Sequence, residues 1–366
     1  MKIGIDARMY RSSVAGIGRY SQNLIKNLLE IDSKNEYVLF MTPADKDELK
    51  VKSGKLKVVE VNIPHYSIEE QVSLRNIIEK EKCDLVHFLN FNYPIRYRGK
   101  FIVTMHDLTL FFFPQTARET SWIKKLAFQK VMSDACRNSA KIIAVSKNTK
   151  KDIIKKFQVN DEKIKVIYEA ADDRIFSTVS KKDIESLKAK YNINKPVILY
   201  VGQYREHKNV KGLLAAYKVL KKETPCQLVL VGNIPENYKN MIDNDDDLRD
   251  TVMPGFVRDE ELSAWYQAAS VFVFPSFYEG FGLPGLEAMQ AGTPVVAAHA
   301  SCLPEIYQDA AFYFDPKDPV EIAQKIKKVL QDKKLASNLI IKGKKIAKSF
   351  SWQKAAEETL KVYQEV

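Results

Sequence analysis

The sequence predicts an α/β protein built from two doubly wound parallel sheets. Three observations carry that expectation. Short apolar runs alternate with amphipathic helical stretches along almost the whole chain. The alternation pauses once, over a polar and charged segment. And 366 residues are more than a single hydrophobic core usually organises.

In the first half, Lys2–Asp6, Tyr37–Met41, Lys57–Val61, Asp84–Phe88, Phe101–Met105, Lys141–Val145 and Lys165–Tyr168 read as strands. Helical periodicity runs over Ile17–Leu29, Ile68–Lys82, Ser121–Asn138 and Lys147–Phe157. Strands joined by crossovers of helix length pair in parallel and carry helices on both faces. The pause covers Asp172–Asn194. Strand runs then resume at Pro196–Val201, Gln227–Val231, Thr251–Gly255, Val271–Pro275 and Pro294–Ala297. The tail Ser351–Val366 reads as a helix with Trp352, Ala355, Ala356, Leu360 and Tyr363 on its apolar side. The expected domains are 1–175 and 192–348, followed by a terminal helix over 349–366; periodicity leaves open which domain that helix covers.

Composition narrows the function classes. At 45% hydrophobic and 28% charged residues the chain is ordinary for a soluble protein. Its four cysteines are scattered and form no C-x-x-C pair, which argues against a disulfide scaffold or a structural zinc site and suits a reducing compartment. Met1 leads straight into a strand and no apolar run has bilayer-spanning length, so a cytoplasmic protein without a signal peptide is expected. The net charge of +11 is concentrated in the first half: residues 1–170 hold 30 Lys and Arg against 20 Asp and Glu, the remainder 27 against 26. Such an excess attracts anionic lipid, phosphorylated substrates or nucleic acid; a merely lysine-rich surface is the other reading. No recognition motif supports nucleic acid, so none is expected as a partner.

The densest chemistry lies in Pro275-Ser-Phe-Tyr-Glu-Gly-Phe-Gly-Leu-Pro-Gly-Leu-Glu287. Glu279 falls in a strand-to-helix loop, and Glu287 about a turn and a half inside the helix that opens near Gly282. Both carboxylates can face the crevice at the carboxyl end of an open α/β sheet, and the helix start favours phosphate. After the strand Pro196–Val201 comes Gly202-Gln203-Tyr204-Arg205-Glu206-His207-Lys208-Asn209. Lys208 sits where the helix dipole disfavours a cation, which suggests an anion to bind; Arg205 can join it on a diphosphate. Taken alone, this stretch reads rather as a solvated basic loop; paired with the Glu279–Glu287 segment at the matching end of the same sheet, the anion-binding reading is the better one.

In the first half, Gly16 and Gly18 lie between the first strand and first helix, where backbone can approach a phosphate; the third glycine of a dinucleotide fingerprint is missing. His106 follows the strand Phe101–Met105 and precedes Asp107, a placement suited to an active-site group, although a lone histidine is commonly structural. Ser146 either contacts phosphate or caps the next helix. Asp243–Asp247 reads as a solvated acidic loop, and no metal site is expected. Phe111-Phe112-Phe113-Pro114 with Trp122, Lys124 and Lys125 reads either as core or as a membrane-contacting loop.

Together these residues resemble the family 4 glycosyltransferases of the GT-B class, including bacterial polysaccharide mannosyltransferases. The matching parts are Gly16-Ile-Gly-Arg-Tyr20, His106-Asp107, Val145-Ser146, Tyr168-Glu-Ala-Ala-Asp172, Lys208-Asn209, Glu279-Gly-Phe-Gly-Leu-Pro284 with Glu287, Ser301-Cys-Leu-Pro-Glu305 and Phe314-Asp-Pro316. The resemblance implies two Rossmann-like domains facing a central cleft, with the C-terminal helix returning to the first. The second domain would bind the nucleotide sugar: Glu287 at the ribose hydroxyls, Glu279 at hydroxyls of the transferred sugar, Phe281, Gly282 and Leu283 through backbone, and Lys208 at the diphosphate. Gly16, Gly18, Ser146, Gly202 and Gln203 complete the donor contacts. His106 would lie near the transferred sugar. The first domain would take a glycan or lipid-linked acceptor, with Asn90, Asp107 and Arg19 as its contacts, at an anionic membrane surface. Such enzymes retain configuration and use no metal or other cofactor. GDP-mannose is the preferred donor, with UDP-linked hexoses as the alternative; a non-catalytic sugar-nucleotide-binding protein is the alternative class. Many relatives carry Arg where this chain has Gln203, and Arg205 or His207 is left to supply that charge.

Overall fold

The structure is a computed structural model describing residues 1–11, 15–49, 54–117, 121–172 and 179–366. It divides into two compact units, Met1–Glu169 with Ser351–Val366, and Ala170–Phe350. The junction expected near residue 175 falls on residues 173–178, outside those described.

The first unit holds a seven-stranded sheet: β1 (Lys2–Asp6), β2 (Glu36–Met41), β3 (Leu56–Glu60), β4 (Leu85–Phe88), β5 (Phe101–Met105), β6 (Lys141–Ala144) and β7 (Ile164–Val166). The spatial order is β3-β2-β1-β4-β5-β6-β7 and every pairing is parallel. All four residues of β4 and all five of β5 are buried, as strands covered on both faces must be. Strand order reverses between β1 and β4, so the carboxyl ends of β1, β4 and β5 gather where ligands enter such sheets.

The second unit holds β8 (Val197–Val201), β9 (Gln227–Val231), β10 (Val252–Gly255), β11 (Val271–Phe274), β12 (Val295–Ala298) and β13 (Ala311–Phe314). Their order is β10-β9-β8-β11-β12-β13, again wholly parallel, with the reversal between β8 and β11.

Several elements go beyond the sequence reading, among them the helices Asp259–Ala268, Pro319–Gln331 and Lys333–Ser349, the strand β13 and the helix Lys181–Lys190. β13 has only four residues, two of them half-buried, at the edge of its sheet. The helix Lys181–Lys190 lies within the polar pause; Ser180 caps it by accepting from the Asp183 N–H, and only Leu187 of its residues is buried. One expectation is corrected. The first helix starts at Ala15 rather than Ile17, so Gly16 and Gly18 belong to its opening turn and not to a loop.

The C-terminal helix Trp352–Gln364 belongs to the first unit. It buries Trp352, Ala355, Ala356, Thr359, Val362 and Tyr363 and packs on the helix Ala15–Ile31. Tyr363 Oη lies 2.8 Å from His87 Nδ1, His87 Nε2 lies 2.8 Å from Thr104 Oγ1, and Thr104 meets the Tyr20 hydroxyl at 3.0 Å. A buried polar chain thus ties the helix to β4 and β5. Among the described residues no helix is long and apolar enough to cross a membrane.

Candidate functional site

In the second unit two loops leave adjacent strands and are stitched together by their own backbone. Gly202, at the end of β8, donates its N–H to the Val231 carbonyl at 3.1 Å. A Cβ on Gly202 would stand 2.8 Å from the Tyr200 hydroxyl, so the close approach requires glycine. A short 3₁₀ turn, Glu206–Lys208, leads to Asn209, which adopts left-handed φ of 54°. The Asn209 amide donates to the carbonyls of Pro275 at 3.1 Å and Pro316 at 2.7 Å, and Phe277 N–H donates to the His207 carbonyl at 2.8 Å. The loops after β8 and β11 are therefore fixed against each other.

That stitching brings Lys208 onto Glu279. Nζ lies 2.7 and 2.8 Å from the two carboxylate oxygens, and the side chains are only 19% and 10% exposed. The Glu279 backbone is held in turn by Ser301, whose hydroxyl accepts from its N–H at 3.2 Å and donates to its carbonyl at 2.7 Å. Gly282, with φ of +97°, opens the helix Leu283–Ala291. Tyr307 donates to the Gly282 carbonyl at 2.5 Å and leaves no room for a Cβ at Gly282 or Gly285. Glu287 is buried on this helix and accepts from the Tyr266 hydroxyl at 2.7 Å. Phe281 is buried edge-on to Phe350, Leu283 is half-buried, and Gln203 is exposed while its carbonyl accepts from Tyr200 at 2.7 Å.

The charges beside Gln203 are unequal. His207 is buried, and burial together with the charges of Lys208 and Arg205 pulls its pKa down to about 3, so it is neutral near pH 7. Arg205 is exposed at the start of the 3₁₀ turn.

In the first unit His106 follows β5. Its Nδ1 lies 3.0 Å from Glu169 Oε1 and its Nε2 lies 3.0 Å from the Leu89 carbonyl, with the Tyr20 ring edge-on at 4.7 Å. Burial works against the charged ring, but the hydrogen bond and charge of Glu169 outweigh it, and the pKa is raised. Both partners are acceptors, so the protonated ring donates to both. Asp107 accepts from the Thr109 N–H at 2.7 Å. Ser146 is buried and its hydroxyl does the capping work of its alternative reading, accepting from the Thr149 N–H and donating to Thr149 Oγ1, both at 3.0 Å. A Cβ on Gly18 would meet the Arg11 carbonyl oxygen at 2.0 Å, whereas one on Gly16 would meet open space. Arg19 is half-buried on the same helix. Asn90, past β4, donates to the Tyr66 hydroxyl at 2.8 Å.

Several contacts escaped the sequence reading, although Glu169 is part of the Tyr168–Asp172 motif, without a role there. Glu169 and Tyr266 lie 63 and 21 residues from the groups they contact. At the end of β1, the buried Arg8 bridges Asp6 (two contacts of 2.8 Å) and Glu70 (2.6 Å), and Asn92 donates to Glu70 at 2.8 Å. Burial raises the Glu70 pKa despite Arg8. The alternation Lys2–Asp6 hides this triad because Arg8 lies beyond the strand. In the acidic run, Asp245 pairs with Lys218 at 2.8 Å and Asp246 with Arg249 at 2.7 Å. Of the aromatics, Phe111 packs on Phe157 at 5.3 Å, while Phe112 and Trp122 are exposed.

Comparison with known proteins finds two family models in succession. One, described as Glycosyltransferase Family 4, matches residues 14–174; the other, Glycosyl transferases group 1, matches residues 183–346. The O-antigen chain mannosyltransferase B of Escherichia coli is 29% identical, with 99% of each chain covered. Sucrose-phosphate synthase from Thermosynechococcus elongatus superposes with a TM-score of 0.79 at 19% identity, covering 100% of this chain and 98% of that one. HepE from Anabaena, solved in complex with UDP-glucose, gives 0.78 at 19% identity with all of both chains covered. At that identity the two structures speak to the fold.

Proposed function

Since the chain belongs to glycosyltransferase family 4 and has the GT-B fold, we propose that it moves mannose from GDP-mannose to a glycan or lipid-linked glycan, with retention of configuration and without a metal. The observation that carries this reading is the Lys208–Glu279 pair at the strand-order reversal of the second unit. A cation and a carboxylate held side by side suit a ligand that is anionic at its diphosphate and rich in hydroxyls at its sugar. The choice of mannose and of a polysaccharide product leans on the Escherichia coli relative, an O-antigen chain mannosyltransferase by name. A UDP-linked hexose is the second reading, favoured by the UDP-glucose held in the Anabaena structure.

As the bond from sugar C1 to the β-phosphate oxygen breaks, negative charge grows on the leaving diphosphate. Lys208, the exposed Arg205 and the positive end of the helix Leu283–Ala291 answer that charge, and one such preorganised group can change the rate by roughly 10²–10³. With His207 neutral, Arg205 stands in for the charge absent at Gln203. Glu279 orients the ammonium and receives sugar hydroxyls; Glu287 receives the ribose hydroxyls while Tyr266 fixes its carboxylate. The acceptor oxygen bonds C1 on the face the phosphate leaves, and its proton passes to the departing phosphate oxygen. The acceptor is assigned to the first unit, with Asn90, Asp107 and Arg19 as its contacts.

A thermal-shift screen with GDP, UDP and ADP sugars tests the reading, because a ligand that binds only the folded state raises the melting temperature. GDP-mannose should give the largest rise, and incubation with EDTA should leave transfer intact. No rise with any nucleotide sugar would overturn the donor assignment, and activity lost to EDTA but restored by Mg²⁺ would overturn the metal-free mechanism. Radiolabel that stays on the nucleotide whatever acceptor is offered marks a binding protein instead.

A further inference from the structure

The helix Trp122–Asn138 is amphipathic in an unusual sense. Its inner side buries Met132, Ala135 and Cys136. A helix on a protein surface normally turns polar residues outward. Here the first two turns expose Trp122, Ile123 and Leu126, at 70%, 61% and 55%. Tyr66, itself 40% exposed, lies edge-on to Phe128 of the same helix at 5.1 Å and widens the apolar surface.

The charge around this face is one-sided. Residues 122–157 hold ten Lys and Arg against two Asp, a net +8 within a chain whose total is +11. Lys124 and Lys125 interleave with the apolar residues. The neighbouring helix Lys147–Phe157 packs alongside and adds five lysines.

We propose that this face seats the first unit on an anionic lipid bilayer. Aliphatic side chains enter the acyl boundary, a tryptophan rests at headgroup depth, and lysines meet lipid phosphates. The charge decides the occupant: an apolar face flanked by a net excess of lysine matches a phosphate-rich interface. The inference deepens the lipid-linked acceptor proposed above, yet it stands on this helix alone. It is read by vesicle binding without turnover, so either can fail independently.

The full chain is mixed with phosphatidylcholine vesicles with and without phosphatidylglycerol, at low and high salt. Binding to the anionic vesicles only, weakened by salt, is expected. The tryptophan emission should shift to the blue on binding. Trp265 and Trp352 are already buried, so the shift reports Trp122. The variants W122S/I123S/L126S and K124E/K125E should each weaken vesicle binding about tenfold or more, with melting temperature and nucleotide binding unchanged. The proposal is overturned if the wild type ignores anionic vesicles, or if either variant binds them as well as the wild type. It is also overturned if W122S/I123S/L126S turns a dimer into a monomer in analytical ultracentrifugation, which would assign the face to a second copy of the chain.

Discussion

Lys208 and Glu279 are 71 residues apart in sequence, and their meeting sets how each must behave. The carboxylate is only 10% exposed, and the ammonium against it offsets part of the cost of burying it. Lys208→Ala removes that partner, so two effects should appear together. Stability should fall by up to about 3 kcal/mol from the uncompensated acid, and turnover by roughly 10²–10³ from the lost cation. Glu279→Gln separates the roles: it frees the ammonium, so a nucleoside diphosphate should bind at least as tightly while transfer collapses. Calorimetry with GDP beside a transfer assay reads both, and near-normal turnover of Lys208→Ala would remove Lys208 from the mechanism. Each residue was legible in the sequence, Lys208 from its conflict with a helix dipole and Glu279 from its spacing to Glu287. The contact between them was not. It depends on Asn209 bonding the Pro275 and Pro316 carbonyls, contacts between segments far apart in the chain.

At the scale of elements, the terminal helix is fixed by more than apolar burial. Trp352, Ala355, Ala356 and Tyr363 follow the 3.6-residue period, so most of the buried face was legible in advance; Leu360, expected with them, is only half-buried, and Thr359 and Val362 complete the face. The residue it docks on was not, because His87 carries no local signal within the apolar strand β4. Tyr363→Phe preserves the packing and deletes one hydroxyl, leaving His87 Nδ1 buried without its partner. Unfolding free energy from urea titration should drop by about 1–3 kcal/mol; an unchanged midpoint and slope would deny the polar chain a structural role. Two of the overlooked elements share one physical cause. The helix Lys181–Lys190 buries a single residue and β13 is a four-residue edge strand, so neither writes a period long enough to rise above its surroundings.

Across the whole molecule, each unit carries one deeply buried neutral histidine, His87 in the first and His207 in the second. Burial lowers both pKa values from 6.5 to about 3, and a nearby histidine or lysine adds to it. Unfolding returns each ring to water, where it takes up a proton below about pH 6.5. The stabilisation is therefore complete above that pH and is lost as pH falls from 6.5 toward 3, at up to about 1.4 kcal/mol per pH unit for each ring. His106 acts in the opposite sense. Its raised pKa gives stability that is full below 6.5 and fades as pH climbs through its folded value, on the alkaline side. Acid should thus weaken both units over the same range, before most carboxylates titrate. Chemical denaturation followed through Trp352 of the first unit and Trp265 of the second, from neutral pH downward, reads each separately. His87→Gln, which cannot titrate there, should flatten the acid limb of the first unit alone. A stability that stays level from pH 6.5 to about 5 would show that these rings are already solvated in the folded state, and with them would fall the argument that Arg205, not His207, supplies the second cation.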